Sequence, residues 1–451
     1  MKSRRCFGTL LLSVVFAASC VAQNGSGGNT SGGGEGGKAS GGKGGSDDSA
    51  KGGAGGGGEA GASGSGGGSS QKGGSGGGSG ASEGQGGSKD AGPSDAPTAM
   101  GDCASPKSLL CDPKGKMPTS IKDTGLFPSA PDFSKHSARM REFTPNPPLW
   151  SDGMEKQRFI LLPDGKKIDN SSPTKWAFPV GTVLVKTFFD DSDAGGKPQP
   201  KETRIIRRVG ETGDATEYDF YLYQWNDAGT DAMLVIDDHN GDDTLAPTIK
   251  ITIKRTKDGK PFMINNGQPF DHTLPSRGMC GECHEGNGAL FQTFIGFDEV
   301  RLNTKATADA TKTELQDFEG AGFFMKSYGG AGSARTITEA DPLLLKVKQF
   351  VLGNCVHCHN TMAKAFDMTP ENFVKNTVGQ ETDAQSVMPP AGWLRVVPGD
   401  PMKSVIYMQA RRVGLPEGSK LRPMPPYGVN DIAPDQENVD AIGQWITSLK
   451  K

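Results

Sequence analysis

The middle of the chain alternates short apolar runs with turn residues, a pattern typical of antiparallel β structure. Candidate strands lie at Phe178–Phe189, Arg204–Val209 and Phe220–Trp225, and Ile249, Ile251 and Ile253 alternate with polar residues. Pairs of turn-forming residues separate the runs: Asp164-Gly165, Asn240-Gly241 and Asp258-Gly259. Residues 101–335 are therefore predicted to form an antiparallel, β-rich, sandwich-like domain.

In the last part of the chain the apolar residues no longer alternate as in a strand but recur every three to four residues, as in a helix. Asp341-Pro342 is a helix-start signal, and an apolar face follows it: Leu344, Val347, Phe350 and Val351. Asp435 precedes a second such face: Val439, Ile442, Trp445, Ile446 and Leu449. Helices are thus predicted at both ends of a separate region, 336–451.

The N-terminus has the pattern of an export signal. Lys2, Arg4 and Arg5 precede the apolar segment Phe7–Ala18, which is too short to span a bilayer permanently. Small residues then lead to Cys20, in a degenerate form of the bacterial lipobox. Residues 1–20 are predicted to be a signal peptide that ends in a lipidated Cys20. The protein is then expected to be exported and held by its lipid anchor at the outer membrane, facing either the periplasm or the cell surface. Ordinary cleavage near Ala22 is the alternative.

Residues 21–100 are rich in Gly and Ser and contain almost no apolar side chains. Such a segment cannot bury enough surface to offset its chain entropy, which predicts a disordered tether. The whole chain of 451 residues has a formal net charge of −3, so composition gives no indication of nucleic-acid binding.

The most specific chemical signal is a pair of C-x-x-C-H motifs. They are Cys280-Gly-Glu-Cys283-His284 and Cys355-Val-His-Cys358-His359. In an exported protein two thiols at this spacing attach heme covalently, and the adjacent histidine binds the iron. Two covalently bound hemes c are therefore predicted, with His284 and His359 as iron ligands. The competing interpretations are a zinc site, which needs four ligands, and local disulfides.

The other four of the eight cysteines have separate explanations. Cys6 and Cys20 lie in the export signal, and Cys103 and Cys111 are a candidate disulfide near the start of the folded region. No thiol is left over, which is consistent with the heme interpretation.

Residues 130–305 resemble a family of exported bacterial proteins of unassigned biochemistry. The resemblance lies in Asn146–Gly153, Phe178–Phe189 and Tyr223–Ala232, which lead into the first C-x-x-C-H and then Gly296–Asn303. It implies that the sheet and the first heme motif form one unit. It implies no substrate.

Residues 338–450 resemble a class I cytochrome c domain. The order is a helix, a C-x-x-C-H, a Pro-Gly-x-Pro-x-x-Ser loop, a Met-Pro-Pro at Met424 and a closing helix with Trp445. The resemblance implies an all-α fold, heme attachment at Cys355 and Cys358, His359 as the proximal iron ligand and Met424 as the distal one. A second Met-Pro-Pro at Met388 is a rival.

No spacing selects a distal ligand for the first motif. The candidates are His239, His272, Met263 and Met325, and an open sixth position is equally compatible with the sequence. Pro and Gly residues around the motif predict a loop rather than a helix, while His136 and His357 are interpreted as surface or packing residues. The acidic stretch Asp237–Asp243 lacks the last ligand of a calcium loop and is interpreted as a hairpin turn.

Together these features predict an exported, lipid-anchored, diheme c-type cytochrome that exchanges single electrons with a periplasmic or cell-surface redox partner protein. An electron-transfer protein is expected rather than an enzyme. The alternatives are a peroxidase-like oxidoreductase with an open first heme, and a ligand-binding β domain with an accessory cytochrome. The substrate, if there is one, stays undefined.

Overall fold

The structure is a computed structural model that describes residues 109–450 apart from short gaps. The gaps are 110–111, 113–114, 131, 194–195, 212–216, 239–247, 286–292, 308, 330–332, 362–365, 384–386 and 427–433. The predicted signal peptide with Cys20, the Gly/Ser tether, the pair Cys103 and Cys111, and most of the acidic stretch lie outside the described residues.

A six-stranded antiparallel sheet forms the centre of the β-rich region. Its strands follow one another in chain order: β1 (Arg141–Glu142), β2 (Glu155–Leu161), β3 (Val183–Asp190), β4 (Gln199–Arg208), β5 (Tyr218–Trp225) and β6 (Ala232–Asp237). Each strand pairs only with its sequence neighbours, so the sheet is an antiparallel meander without crossover connections.

Both faces of the sheet are covered by apolar side chains. One face carries Phe159, Val185, Ile205, Tyr221 and Tyr223, packed under the segment that precedes β1. The opposite face carries Ile160, Leu184, Ile206 and Phe220, which pack against aromatic residues of 294–324. Burial on both faces explains why β3 is almost continuously apolar instead of alternating.

Two small antiparallel sheets follow the large one. They pair β7 (Thr248–Ile251) with β10 (Phe270–Thr273), and β8 (Lys254–Lys257) with β9 (Lys260–Met263). The prediction of an antiparallel β-rich region is confirmed. The layers that cover the large sheet are loops, short helices and these small sheets rather than a second large sheet.

The rest of the described chain contains a few helices joined by long loops, and the predicted all-α fold of residues 336–451 is not confirmed. The helices are α1 (Arg277–His284), α2 (Glu299–Leu302), α3 (Glu314–Gly320), α4 (Pro342–Asn354), α5 (Phe373–Thr377), α6 (Val405–Arg411) and α7 (Gln436–Ser448). Helix α4 begins at the predicted Pro342 because the Asp341 side chain accepts a hydrogen bond from the Leu343 backbone N–H. Among the described residues, no helix is both long and apolar enough to cross a membrane.

The C-terminal helices share one core and also contact the β-rich region. Trp445 is 2% exposed and packs against Phe373. The Asn354 side chain accepts a hydrogen bond from the Trp150 backbone N–H at 2.9 Å, and Arg301 donates one to the Leu352 carbonyl. The end of α4 is therefore held directly against the loop that precedes β2.

Candidate functional site

The first C-x-x-C-H lies on helix α1, and the prediction that a loop carries it is wrong. Ser276 caps the helix by accepting a hydrogen bond from the Met279 backbone N–H, and its own backbone N–H donates to the Met279 sulfur. Pro275 stands just before this cap, where its missing N–H costs no helical hydrogen bond. The cap decides the local structure in favour of a helix.

His284 at the end of α1 is oriented as a metal-ligating histidine would be. Its Nδ1 lies 2.7 Å from the carbonyl oxygen of Thr293, and since a carbonyl only accepts, Nδ1 is the donor. Burial lowers the pKa of His284 to about 3, so the ring is neutral. The other nitrogen, Nε2, therefore keeps a lone pair that can bind a metal.

The motif borders a cavity that is partly open to solvent. Its wall includes both cysteines and the histidine of the motif, and four basic residues of the sheet: Cys280, Cys283, His284, Lys156, Arg158, Lys186 and Arg204. None of the four described cysteines of the two motifs forms a disulfide.

Three of the basic residues form a row across the sheet. Arg158 on β2 stands opposite Lys186 on β3, and Lys186 stands opposite Arg204 on β4. Like charges in directly opposite positions destabilise a sheet. Such a row therefore indicates that a negative group belongs in the cavity.

Two members of this row are attracted by a carboxylate without pairing with it: Glu314 acts on Arg158, and Glu202 acts on Lys186. Within the described part of the chain, the side chains of Arg158 and Lys186 form no hydrogen bond and no ion pair, although the Lys186 ammonium lies 5.0 Å from the Phe188 ring centre. Burial, followed by repulsion from Arg204 and Arg158, lowers the pKa of Lys186 to about 7. Burial likewise lowers the pKa of Arg158 to about 10.

Arg204 is neutralised by a buried network that also contains His272. Arg204 donates hydrogen bonds to Glu202, at 2.9 Å from Nε. His272 is fully buried, with Nδ1 2.7 Å from Asp152 and Nε2 3.3 Å from Glu202. Both ring nitrogens of His272 are thus engaged, and neither is free to bind iron.

The remaining candidates for the sixth position do not lie in the cavity wall. Met263 and Met325 are 51% and 63% exposed, and neither lines the cavity. His239 lies outside the described residues. Met279, which the sequence did not single out, does line the cavity, but it sits beside Cys280 on the same helix.

The second C-x-x-C-H begins where α4 ends. Cys355 follows the last helical residue, and burial raises its pKa to about 12. The His359 ring lies 5.0 Å from the Phe366 ring, and its Nδ1 is buried without a hydrogen bond of normal geometry to any described residue. Burial lowers the pKa of His359, which favours the neutral ring that a metal requires.

The two methionines proposed as sixth ligands for the second motif differ in burial. Met424 is partly buried, and its backbone N–H donates a hydrogen bond to the Gln409 carbonyl at 3.0 Å. Met388 is 48% exposed. The burial difference is consistent with the preference for Met424, which stays a prediction.

The two motifs meet in space. Ligand atoms of Cys283, His357 and Cys358 all lie within 4.8 Å of one another. His357, interpreted from sequence as a surface or packing residue, is 5% exposed and lies at this meeting point. The sequence does not predict this contact, because the two motifs are far apart in the chain: one follows the sheets and the other follows α4.

The basic row was also missed from sequence, although a signal was present. Lys186 interrupts the apolar run Phe178–Phe189, and a charged residue inside a strand buried on both faces needs a partner.

No protein-family model matches this chain, and neither does any curated protein or solved structure. Its function must therefore be argued from its own residues.

Proposed function

We propose that this chain is an exported diheme c-type cytochrome that exchanges single electrons with a redox partner protein. The first heme would be attached to Cys280 and Cys283 with His284 on the iron, and the second to Cys355 and Cys358 with His359. Heme supplies a metal that accepts and releases one electron.

The observation that carries this proposal is the combination of free thiols, an oriented histidine and unpartnered cations in one cavity. Heme has two propionate carboxylates, which are the charges that Arg158 and Lys186 lack. Removing a buried charge's partner is costly, whereas supplying one stabilises the site. A tetrahedral zinc site at Cys280, Cys283 and His284 would not account for the basic row.

Counting covalent heme tests the proposal. The exported chain is expected to contain two hemes per polypeptide by pyridine hemochrome assay. The double variants Cys280→Ala/Cys283→Ala and Cys355→Ala/Cys358→Ala are each expected to contain one. Exported chain without covalent heme would refute the proposal.

For the second heme we propose Met424 as the distal ligand. Met424→Ala is expected to remove the weak sulfur-to-iron band at the red end of the ferric spectrum and to lower the potential, because a thioether ligand favours ferrous iron. Met388→Ala is the matched control, since it stands in the same Met-Pro-Pro context. If only Met388→Ala loses the band, Met388 rather than Met424 is the distal ligand.

A second candidate function is a heme-dependent oxidoreductase with an open first iron. The observation that favours it is that His272 is fully engaged while Met263 and Met325 lie outside the cavity wall. Carbon monoxide titration of reduced Cys355→Ala/Cys358→Ala separates the candidates. Rapid stoichiometric binding of carbon monoxide would indicate an open iron and favour the oxidoreductase. Absence of binding would favour the electron-transfer protein.

A further inference from the structure

The contact between the two motifs is fixed by structure on both sides. Cys283 lies in the last turn of α1, and the Cys358 thiol lies 3.4 Å from the carbonyl oxygen of Glu282 in the same turn.

The end of α4 is anchored to the β-rich region immediately before the second motif. Asn354 accepts a hydrogen bond from the Trp150 backbone, and Arg301 donates one to Leu352. A Cβ on Gly353 would lie 2.7 Å from the carbonyl oxygen of Pro148, so the backbones approach as closely as glycine allows. These contacts hold Cys358 beside α1.

His357 lies beside the two cysteines. Its side chain is buried, and its Nδ1 makes no hydrogen bond to any described residue. An unsatisfied buried nitrogen is destabilising, and such groups call for an explanation. A ligand atom of His357 lies within 4.8 Å of the sulfurs of both Cys283 and Cys358.

We propose that Cys283, His357 and Cys358 form a junction at which the two heme sites meet edge to edge, so that the chain holds one electronically coupled heme pair. This inference rests on the proposed function. In a c-type site each cysteine sulfur is two covalent bonds from the porphyrin ring. Two sulfurs within 4.8 Å of each other therefore bring the two rings' edges close together.

The junction would let an electron that enters at one heme leave at the other. One ferrous centre is oxidised as the neighbouring ferric centre is reduced, and no bond or proton changes place. The redox partner protein would then need access to only one of the two sites.

Electron paramagnetic resonance of the full oxidised chain tests the junction. Two neighbouring ferric hemes broaden and shift each other's signals, so the spectrum is expected to differ from the sum of the spectra of Cys280→Ala/Cys283→Ala and Cys355→Ala/Cys358→Ala. A spectrum equal to that sum would overturn the inference.

A second measurement uses the unaltered chain and so does not depend on whether the variants fold. During stepwise reduction the remaining ferric signal is expected to sharpen once its neighbour becomes ferrous. If the two ferric signals disappear during reduction without any change in line shape, the junction is overturned.

Heme content separates failure of the junction from failure of the proposed function. Two hemes per chain with independent signals would contradict the junction alone. A chain without covalent heme would contradict both, and zinc found by elemental analysis in such a chain would assign Cys283, His357 and Cys358 to a metal site instead.

Discussion

At the scale of single residues, the cavity is defined by charges that the protein leaves without partners. Lys186 stands between Arg158 and Arg204, and of the three only Arg204 forms an ion pair with a carboxylate among the described residues. An isolated charge at such a position is costly, and the group reduces the cost by lowering its pKa. A bound anion would remove that cost.

Replacing Lys186 by methionine tests this role. Lys186→Met keeps the length of the side chain and removes the positive charge, so the more positive ferric state is stabilised and the potential of the first heme is expected to fall. Redox titration of the variant Cys355→Ala/Cys358→Ala, with and without Lys186→Met, measures the shift. Lys254→Met, at an exposed position, is the control. Equal potentials in both lysine variants would show that Lys186 does not face the heme.

His272 has a structural role at the base of the same wall. Burial alone would lower its pKa, but hydrogen bonds to Asp152 and Glu202 together with their charges raise it. The pKa of Glu202 would be raised by burial, yet Arg204 and His272 lower it to about 2. The buried histidine and its two carboxylates therefore stabilise one another.

The His272 contribution to stability should depend on pH. Because the folded-state pKa lies above the unfolded value of about 6.5, the stabilisation is complete below that value and is lost as pH rises through the folded pKa. His272→Gln is expected to cost about 3–5 kcal/mol at pH 6, and less at pH 9. Urea unfolding at both pH values measures this, with His136→Gln as control. An equal loss at both pH values would exclude a charged His272.

At the scale of elements, the approach of α4 to the loop before β2 determines how the two motifs are placed. The contact depends on the absence of a side chain at Gly353, next to the anchoring residue Asn354.

Gly353→Ala should disturb this contact. The new Cβ would force the helix and the loop apart, at an expected cost of about 1–3 kcal/mol in the free energy of unfolding. Gly320→Ala in α3 is the matched control, because a Cβ there meets nothing within 4 Å. The control should gain up to about 1 kcal/mol from its higher helix propensity. Equal unfolding midpoints for the two variants would show that α4 can shift freely.

At the scale of the whole molecule, association with a membrane is predicted to depend on a single cysteine near the N-terminus. Among the described residues no helix is long and apolar enough to cross a membrane. The anchor predicted at Cys20 lies outside the described residues. A single acyl chain binds membranes only marginally, whereas several chains anchor a protein stably.

Detergent partitioning of the whole protein tests the anchor. The parent is expected in the detergent phase and Cys20→Ala in the aqueous phase, because the variant has no thiol to acylate. Cys6→Ala removes the other cysteine of the export signal and should partition like the parent. Identical partitioning of the parent and Cys20→Ala would remove the lipoprotein assignment.

The elements that could be predicted are those determined by nearby residues. Asp341 and Pro342 set the start of α4, and the apolar face around Trp445 identified α7. The strands β3 and β5 followed from their own apolar and β-branched content. Helix α1 was missed because Pro275 and the glycines suggested a loop, while the cap at Ser276 outweighed them.

The arrangement of the site could not be predicted, since it depends on contacts between distant segments. The C-x-x-C-H spacing by itself identified six candidate heme residues, because thiols and imidazole at that spacing define the chemistry locally. Strand register placed Arg158, Lys186 and Arg204 in one row, and a shift by one residue would have turned Lys186 to the opposite face. Only the packing of α4 against the β-rich region brought Cys283 and Cys358 together, because capping and periodicity act within a few residues, whereas that contact joins segments far apart in the chain.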